Sequence, residues 1–417
     1  MRSSADPGQR VSAPEGRSGR IAAIDGLRGL AVLGILAINV TGFWGPAIAA
    51  YSPHLPAPDP QALPWFAIAF VVFEGKMRAL FSLLFGASMV LFMQAAERRG
   101  ADGDIMQARR LLWLAVFGYL HFLLLWWGDI LFPYAVCGAL ALLARRLPVS
   151  GLVAAALLIM AGSSALDSAM QAPGLADEIA VMHGHGTGEA LKAEAEMQAR
   201  FDESAASDRR ILKAGFAQAV TLRIETDPWL PVRTALFTLT ETLPLMLLGM
   251  ALYRSGFFTG GWSARALRMA AATGIGAGGG ATLLCWWWLS ANGFPPRGMF
   301  AAIDDWLTLP HLAMALGYAS AFLLSWPWLA ARAAGRALGA AGRCAFSNYI
   351  GTSALMGAIF SGWGLGLGES LPRVWLPAFV LLGWAAMLAW PQWWLARFGQ
   401  GPLEGLWRRL TWWGAAR

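Results

Sequence analysis

From Leu111 to Ala144 the chain runs for 34 residues with only two Asp, Glu, Lys, Arg or His side chains, His121 and Asp129. About 20 apolar residues suffice to cross a bilayer as a helix, so such a run is too long for one crossing and suits two. The chain must turn inside it, and Gly128-Asp129 is the natural place. This excludes an ordinary soluble domain, which could not hide that much hydrocarbon beside water.

The rest of the chain follows suit. Charged residues make up 14% of the 417, against about a quarter in soluble proteins, and hydrophobic residues make up 57%. The fold class expected is all-α, a polytopic transmembrane helical bundle of about ten spans with one helical extracytoplasmic loop. The apolar runs place the spans at 27–45, 77–94, 111–127, 129–145, 150–171, 233–253, 269–290, 306–328, 344–361 and 374–395. The stretch 62–76 is too short to cross alone and reads as a lead-in to the second span. Ala47-Ile48-Ala49 could serve as a signal-peptidase site, but the run before it is longer than a usual signal core, so a retained first span is expected.

Charge sets the orientation. With the N-terminus inside, 21 of the 32 basic residues fall on inner segments, and only Lys76, Arg78, Arg297 and Arg373 fall on short outer connections. The other seven lie in or beside one long loop. Both termini are therefore expected in the cytoplasm of a cell bounded by a bacterial inner membrane. The net charge of +7 is accounted for by this asymmetry and does not call for nucleic acid. The chain divides into a disordered basic tail at 1–20, a five-span half with a polar cavity at 21–171, and an extracytoplasmic loop at 172–232. A second five-span half at 233–396 and a cytoplasmic interfacial tail at 397–417 complete it. The loop is rich in helix formers and reads as a cap over the outer face. No clear repeat relates the two halves.

Cys137, Cys285 and Cys344 are too few and too scattered for a disulfide framework or a zinc site. His183 and His185, in HGHG, read as a glycine-rich turn rather than a metal site. The polar groups at depth are more informative. A rise of about 1.5 Å per residue puts His121 about 15 Å past Leu111, near mid-membrane. Asn39, Glu241, Glu74, Lys76, Arg78 and His311 reach comparable or shallower depths. Ionisable groups there cost several kcal/mol unless paired or hydrated, so they usually line a cavity. A polar cavity is expected from the midplane to the outer face, ending beside His121. Plainer readings stand beside this one. His121 could simply bond a neighbouring helix, Asp129 could cap the next one, and the Trp pairs could be interfacial belts.

Several segments occur together in order: AIDGLRGLAVLGILAINVTGF (23–43), GKMRALFSLLFGAS (75–88), RRLLWLAVFGYLHFLLLWWGDILFPYAVCG (109–138), LMLLGMALYRSGFF (245–258), GRCAFSNYIGTS (342–353) and RFGQGPLEGLWRRLT (397–411). From residue 21 onward the chain resembles the YeiB-like bacterial membrane proteins, which carry the domain of unknown function numbered 418. FSNYIGTS departs from that pattern, keeping the Ser347 hydroxyl but lacking a long side chain at Gly351 and Thr352. The DGLRG…N opening is also similar to the wider transmembrane acyltransferases. That similarity implies acyl-CoA, such as acetyl-CoA, on the cytoplasmic side and a small-molecule or glycan acceptor on the other. The histidine of that group follows its first span, whereas His54 here lies in a proline-rich loop and is not its equivalent.

The expected function is then acyl transfer to an extracytoplasmic hydroxyl or amine, with no metal. His121 would be the base, Asp129 its orienting partner and Asn39 the oxyanion donor. Arg28, Arg109, Arg110 and Arg343 would meet the phosphates of coenzyme A. Asn348 and Tyr349 would line the thioester's route. Lys76, Arg78 and Glu241 would meet the acceptor. The alternatives are a proton-coupled transporter or exporter using His121 and Glu241, and a sensor acting through its long loop. The expected partners are the bilayer and the acceptor; a homo-oligomer is left open.

Overall fold

The computed structural model describes residues 15–414. Among them are seventeen α-helices and no strand. In chain order they are α1 (Glu15–Trp44), α2 (Leu63–Ile68), α3 (Lys76–Glu97), α4 (Gly103–Leu124), α5 (Leu131–Leu143), α6 (Val149–Met182), α7 (Gly188–Lys213), α8 (Phe216–Thr226) and α9 (Leu230–Phe237). Then follow α10 (Leu239–Arg254), α11 (Ala264–Ala291), α12 (Pro296–Ala301), α13 (Thr308–Ala330), α14 (Ala333–Arg343), α15 (Ala345–Phe360), α16 (Leu376–Phe398) and α17 (Pro402–Trp412). Of the tail expected at 1–20, residues 1–14 lie outside the described residues, while 15–20 already belong to α1.

Each of the ten expected spans falls on a helix or a helix pair. Five stretches are long and apolar enough to cross a membrane: Ala22–Trp44, Leu63–Glu97, Val149–Met182, Thr308–Ala330 and Arg373–Phe398. The bent pair α9–α10 makes a sixth. The others fall short in different ways: α5 has 13 residues, α15 has 16, α4 carries Asp104, Arg109 and Arg110 in its first turns, and the 28-residue α11 is diluted by glycines and tryptophans. Large apolar side chains such as Leu158, Leu166 and Met170 on α6 stand exposed, as they would toward lipid.

The two expected halves interlock rather than stand apart. α1 packs on α14, α15 and α16, while α10 packs on α3, α5 and α6. α3 and α10 meet backbone to backbone. A Cβ on Gly86 would lie 2.0 Å from the Met246 carbonyl oxygen, and one on Gly249 2.0 Å from that of Leu83. Small residues permit such close approach, which is what binds helices where no water drives them together.

The bundle has two distinct ends. At one, α7 and α8 lie over the ends of α1 and α4 as a cap. Arg209 of α7 grips Glu369 with bonds of 2.8 and 2.9 Å, Gly362 N donates to Leu212 O at 2.7 Å, and Asp208 accepts from Ala47 N at 2.9 Å. Of the rest of the expected 172–232 loop, residues 172–182 continue α6 and residues 230–232 open α9. At the other end, α14 and α17 close the bundle and arginines gather.

α3 and α13 are entered in the same way. A short helix opened by proline, α2 or α12, runs into a π-helical turn at 69–73 or 302–306. The two turns share one apolar cluster that includes Phe70, Ala302, Ile303 and Leu307.

Candidate functional site

His121 sits in the last turn of α4. Leu125 N and Trp126 N both bond to its carbonyl, at 2.9 and 3.0 Å, which tightens the helix end and sends the chain back. The bend returns Asp129 to the imidazole, with Nδ1 2.9 Å from Oδ1. Eight residues on a straight helix would have left the two about 80° apart; the bend removes that offset. The other carboxylate oxygen accepts from Phe132 N at 2.8 Å, so Asp129 orients the ring and secures the start of α5 at once. Gly118, one turn below His121, makes room. A Cβ there would lie 2.3 Å from Phe132 N and 2.7 Å from Asp129 Oδ2.

A carboxylate only accepts, so Nδ1 carries a proton, and in the neutral ring Nε2 presents a lone pair. Nε2 is buried and has no partner among the described residues. Tyr349 of α15 completes the arrangement, its ring 5.0 Å from the imidazole. Its hydroxyl donates to Gly128 O at 3.1 Å and accepts from Ile130 N at 3.2 Å, which holds the bend on both sides of Asp129.

Two cavities approach this bend from opposite sides. The larger, a vestibule of about 710 Å³ beneath the cap, is walled by Phe43, Phe122, Leu125, Trp126 and Trp127 and rimmed by charged residues of α7 and α8. Both indole N–H groups point at Gly42 O, at 3.0 and 3.3 Å, and Trp126 stacks on Phe43 at 4.1 Å. The Trp pair, read as a membrane belt, is therefore a cavity wall. The smaller cavity, about 160 Å³, begins among Arg28, Arg110 and Arg343 and ends at Ile130, Leu131 and Tyr349. The expectation of an outer cavity ending on His121 is corrected here. The ring is fully buried and lines neither space.

The expected donor-side arginines separate. Arg28 bonds Asp25 at 2.7 Å and Ser88 at 2.9 Å. Arg110 lies between the rings of Trp407 and Phe92, 4.3 and 4.8 Å from their centres. Arg343 donates to Gly399 O at 2.6 Å. These three line the small cavity, whereas Arg109 bonds the Trp413 carbonyl and does not. Asn348 is also withdrawn. Its amide donates to Ala341 O and Met387 O and accepts from Trp390, all within 3.3 Å. Asn39 lines a cleft of only about 10 Å³ with Tyr349 and Thr352, space for roughly one water.

The residues expected to meet the acceptor lie elsewhere. Lys76 is fully buried and donates to Phe70 O at 2.7 Å, capping the π turn. Arg78 pairs with Glu241 at 3.1 Å and Glu74 at 3.5 Å. Neither lysine nor pair reaches the vestibule. What does reach it is Arg223 of α8, which the sequence reading passed over because it lies a hundred residues from the helix end it caps. Its guanidinium donates to Leu123 O at 3.0 Å and Leu125 O at 3.1 Å, at the end of the helix that carries His121.

Residues 252–414 match the family model described as a protein of unknown function, DUF418. The chain is 28% identical over 405 residues to the uncharacterised protein YeiB of Escherichia coli strain K12, covering 93% of this chain and 95% of that one. It is 38% identical over 134 residues to the uncharacterised protein YxaH of Bacillus subtilis, 30% of this chain and 33% of that one. An uncharacterised 39.9 kDa protein of Bacillus acidopullulyticus is 39% identical over 123 residues, again 30% and 33%. No solved structure matches the chain.

Proposed function

In this YeiB-like membrane protein with its DUF418 region, we propose acyl transfer from a cytoplasmic acyl-CoA to a hydroxyl or amine on the far side of a bacterial inner membrane, through about ten crossings with both termini inside. One observation carries the reading: a His–Asp pair with a bare Nε2 is held in the bend that separates two cavities. Leu125, Trp126 and Trp127 of that bend face the vestibule, and Ile130 and Leu131 face the arginine-rich cavity.

The sizes suit unequal guests. Whole-ligand pockets run to about 300–1,000 Å³, so the vestibule suits an acceptor, while 160 Å³ suits only the arm of a thioester. Arg28, Arg110 and Arg343 at its mouth are matched to phosphates. In the reaction, Nε2 takes the acceptor's proton as its oxygen or nitrogen bonds to the thioester carbonyl carbon. The C–S bond then breaks, and the imidazolium returns the proton to the leaving thiolate. Asp129 holds the ring's tautomer, and the bend must shift for Nε2 to meet both partners.

The test is release of free coenzyme A thiol from labelled acetyl-CoA by the purified protein, with His121→Ala beside it. Turnover that His121→Ala abolishes supports the reading; equal turnover by both removes His121 from it.

A transporter is the second reading, favoured by the α9–α10 pair, bent by 63° with Glu241 in the first turn of α10 against Arg78. Broken helices at depth are a hallmark of transport sites. Substrate flux into proteoliposomes, with no acetyl-CoA turnover, would favour it.

A further inference from the structure

Arg223 is 8% exposed and has no carboxylate partner among the described residues; its bonds run to two helix-terminal carbonyls. A helix C-terminus supplies only about half a negative charge, so much of the guanidinium's charge is left uncompensated. Burial alone moves its pKa, down to about 10, and no nearby acid pulls it back. Four acids share the vestibule, and none of them bonds Arg223: Asp227 pairs with Arg233, Asp208 accepts from Ala47 N, and Glu203 and Glu225 lie on the same wall without a bond to it. Two bonds leave three of the five guanidinium N–H donors free. Arg223 also lines the vestibule, as do the indoles of Trp126 and Trp127.

A buried cation on a cavity wall, with donors to spare and no counter-ion, is a place built for an anion. We infer that the vestibule is an anion-recognition site, in which Arg223 holds a phosphate or carboxylate of the ligand while the Trp126–Trp127 face supports its body. This rests on the acyl-transfer reading only in calling that ligand the acceptor. It also moves anion recognition from Lys76 and Arg78, which do not reach the vestibule, to a residue of the cap. The anion is then seated next to the helix end that positions His121.

The shared chemistry is a phosphate, borne either by a small soluble molecule or by a lipid headgroup. Full-length protein in neutral detergent is titrated calorimetrically with glycerol phosphate, and with glycerol as the same body without charge. Saturable binding of the phosphate alone is expected, weakened about tenfold or more by Arg223→Gln and less by Arg223→Lys. Arg200→Gln, at the exposed rim, leaves it within about twofold. Equal binding of glycerol, or equal affinity in Arg223→Gln, overturns the inference. A second measurement needs no change at Arg223. A cysteine at the vestibule residue Thr226, introduced as Thr226→Cys, is labelled by maleimide, and glycerol phosphate must slow the labelling; unchanged labelling overturns the inference. Repeating the titration in phosphatidylglycerol and phosphatidylcholine nanodiscs separates the sources. Competition by the anionic lipid alone assigns the phosphate to a headgroup, and its absence assigns it to a soluble ligand. His121→Ala retains binding. Binding without any acetyl-CoA turnover in the unaltered protein would retire the acyl-transfer reading and keep the anion site; turnover without binding would do the reverse.

Discussion

Asp129 divides its two oxygens between an imidazole and a backbone N–H, and each bond makes the other more exact. Asp129→Asn keeps the shape but can present an amide to Nδ1, turning the ring's tautomer. If the protein transfers acyl groups, thiol release should fall at least about tenfold, or about 1.4 kcal/mol in barrier, with the melting temperature nearly unchanged. His121→Ala should cost about 10²–10⁴ in the same assay. Gly118→Ala tests the pair from below. Its methyl meets Phe132 N and Asp129 Oδ2, so a loss of about 1–3 kcal/mol in stability is expected, read as a lower unfolding midpoint in detergent. A neutral result would mean that α5 yields easily there. His121 and Asp129 were legible because they are isolated charges in hydrocarbon. Their contact was not, since it depends on a bend that no helical period describes. Lys76 misled for the opposite reason: its position in the chain is near an outer boundary, but its amine turns inward to a carbonyl left open by a π turn.

At the scale of elements, the helix starts show how distant parts of the chain are tied. Glu404 of α17 accepts from Phe346 N at 2.8 Å, Ser347 N at 3.0 Å and Ser347 Oγ at 2.5 Å. A side chain almost sixty residues away thus acts as the N-terminal cap of α15. The GPLExLWR and FSN segments looked like separate motifs and are two halves of one joint, with Ser347 Oγ also accepting from Leu403 N at 3.1 Å. Glu404→Ala should lower stability by about 0.5–2 kcal/mol, seen as an earlier thermal transition. It should also loosen the small cavity, which Glu404 helps to line. If the transition does not move, the joint is ornamental to stability. The paired approaches to α3 and α13 through proline and a π turn were invisible to a search for repeated sequence. The likeness lies in the backbone hydrogen-bond pattern, Glu74 N to Ala69 O and Leu307 N to Ala302 O.

For the whole molecule, the apolar runs gave the helices reliably, since hydrocarbon without charge has few ways to fold. They did not give the packing order. Which helix meets which is decided by close approaches such as Gly86 on Met246 and Gly249 on Leu83, and single glycines carry no address. The orientation proposed from the basic residues has a direct check. In intact cells, a cysteine placed by Ser207→Cys in the cap should react with an impermeant maleimide, and one placed by Arg409→Cys on α17 should react only after lysis. The opposite pattern would invert the protein and exchange the sides of donor and acceptor. The bend from Leu125 to Leu131 has a further consequence at this scale. It forms part of the wall of both chambers, which share no lining residue. A cell could carry many copies in its membrane without losing its ion gradients, and a variant that props the bend open would show itself first as a leak.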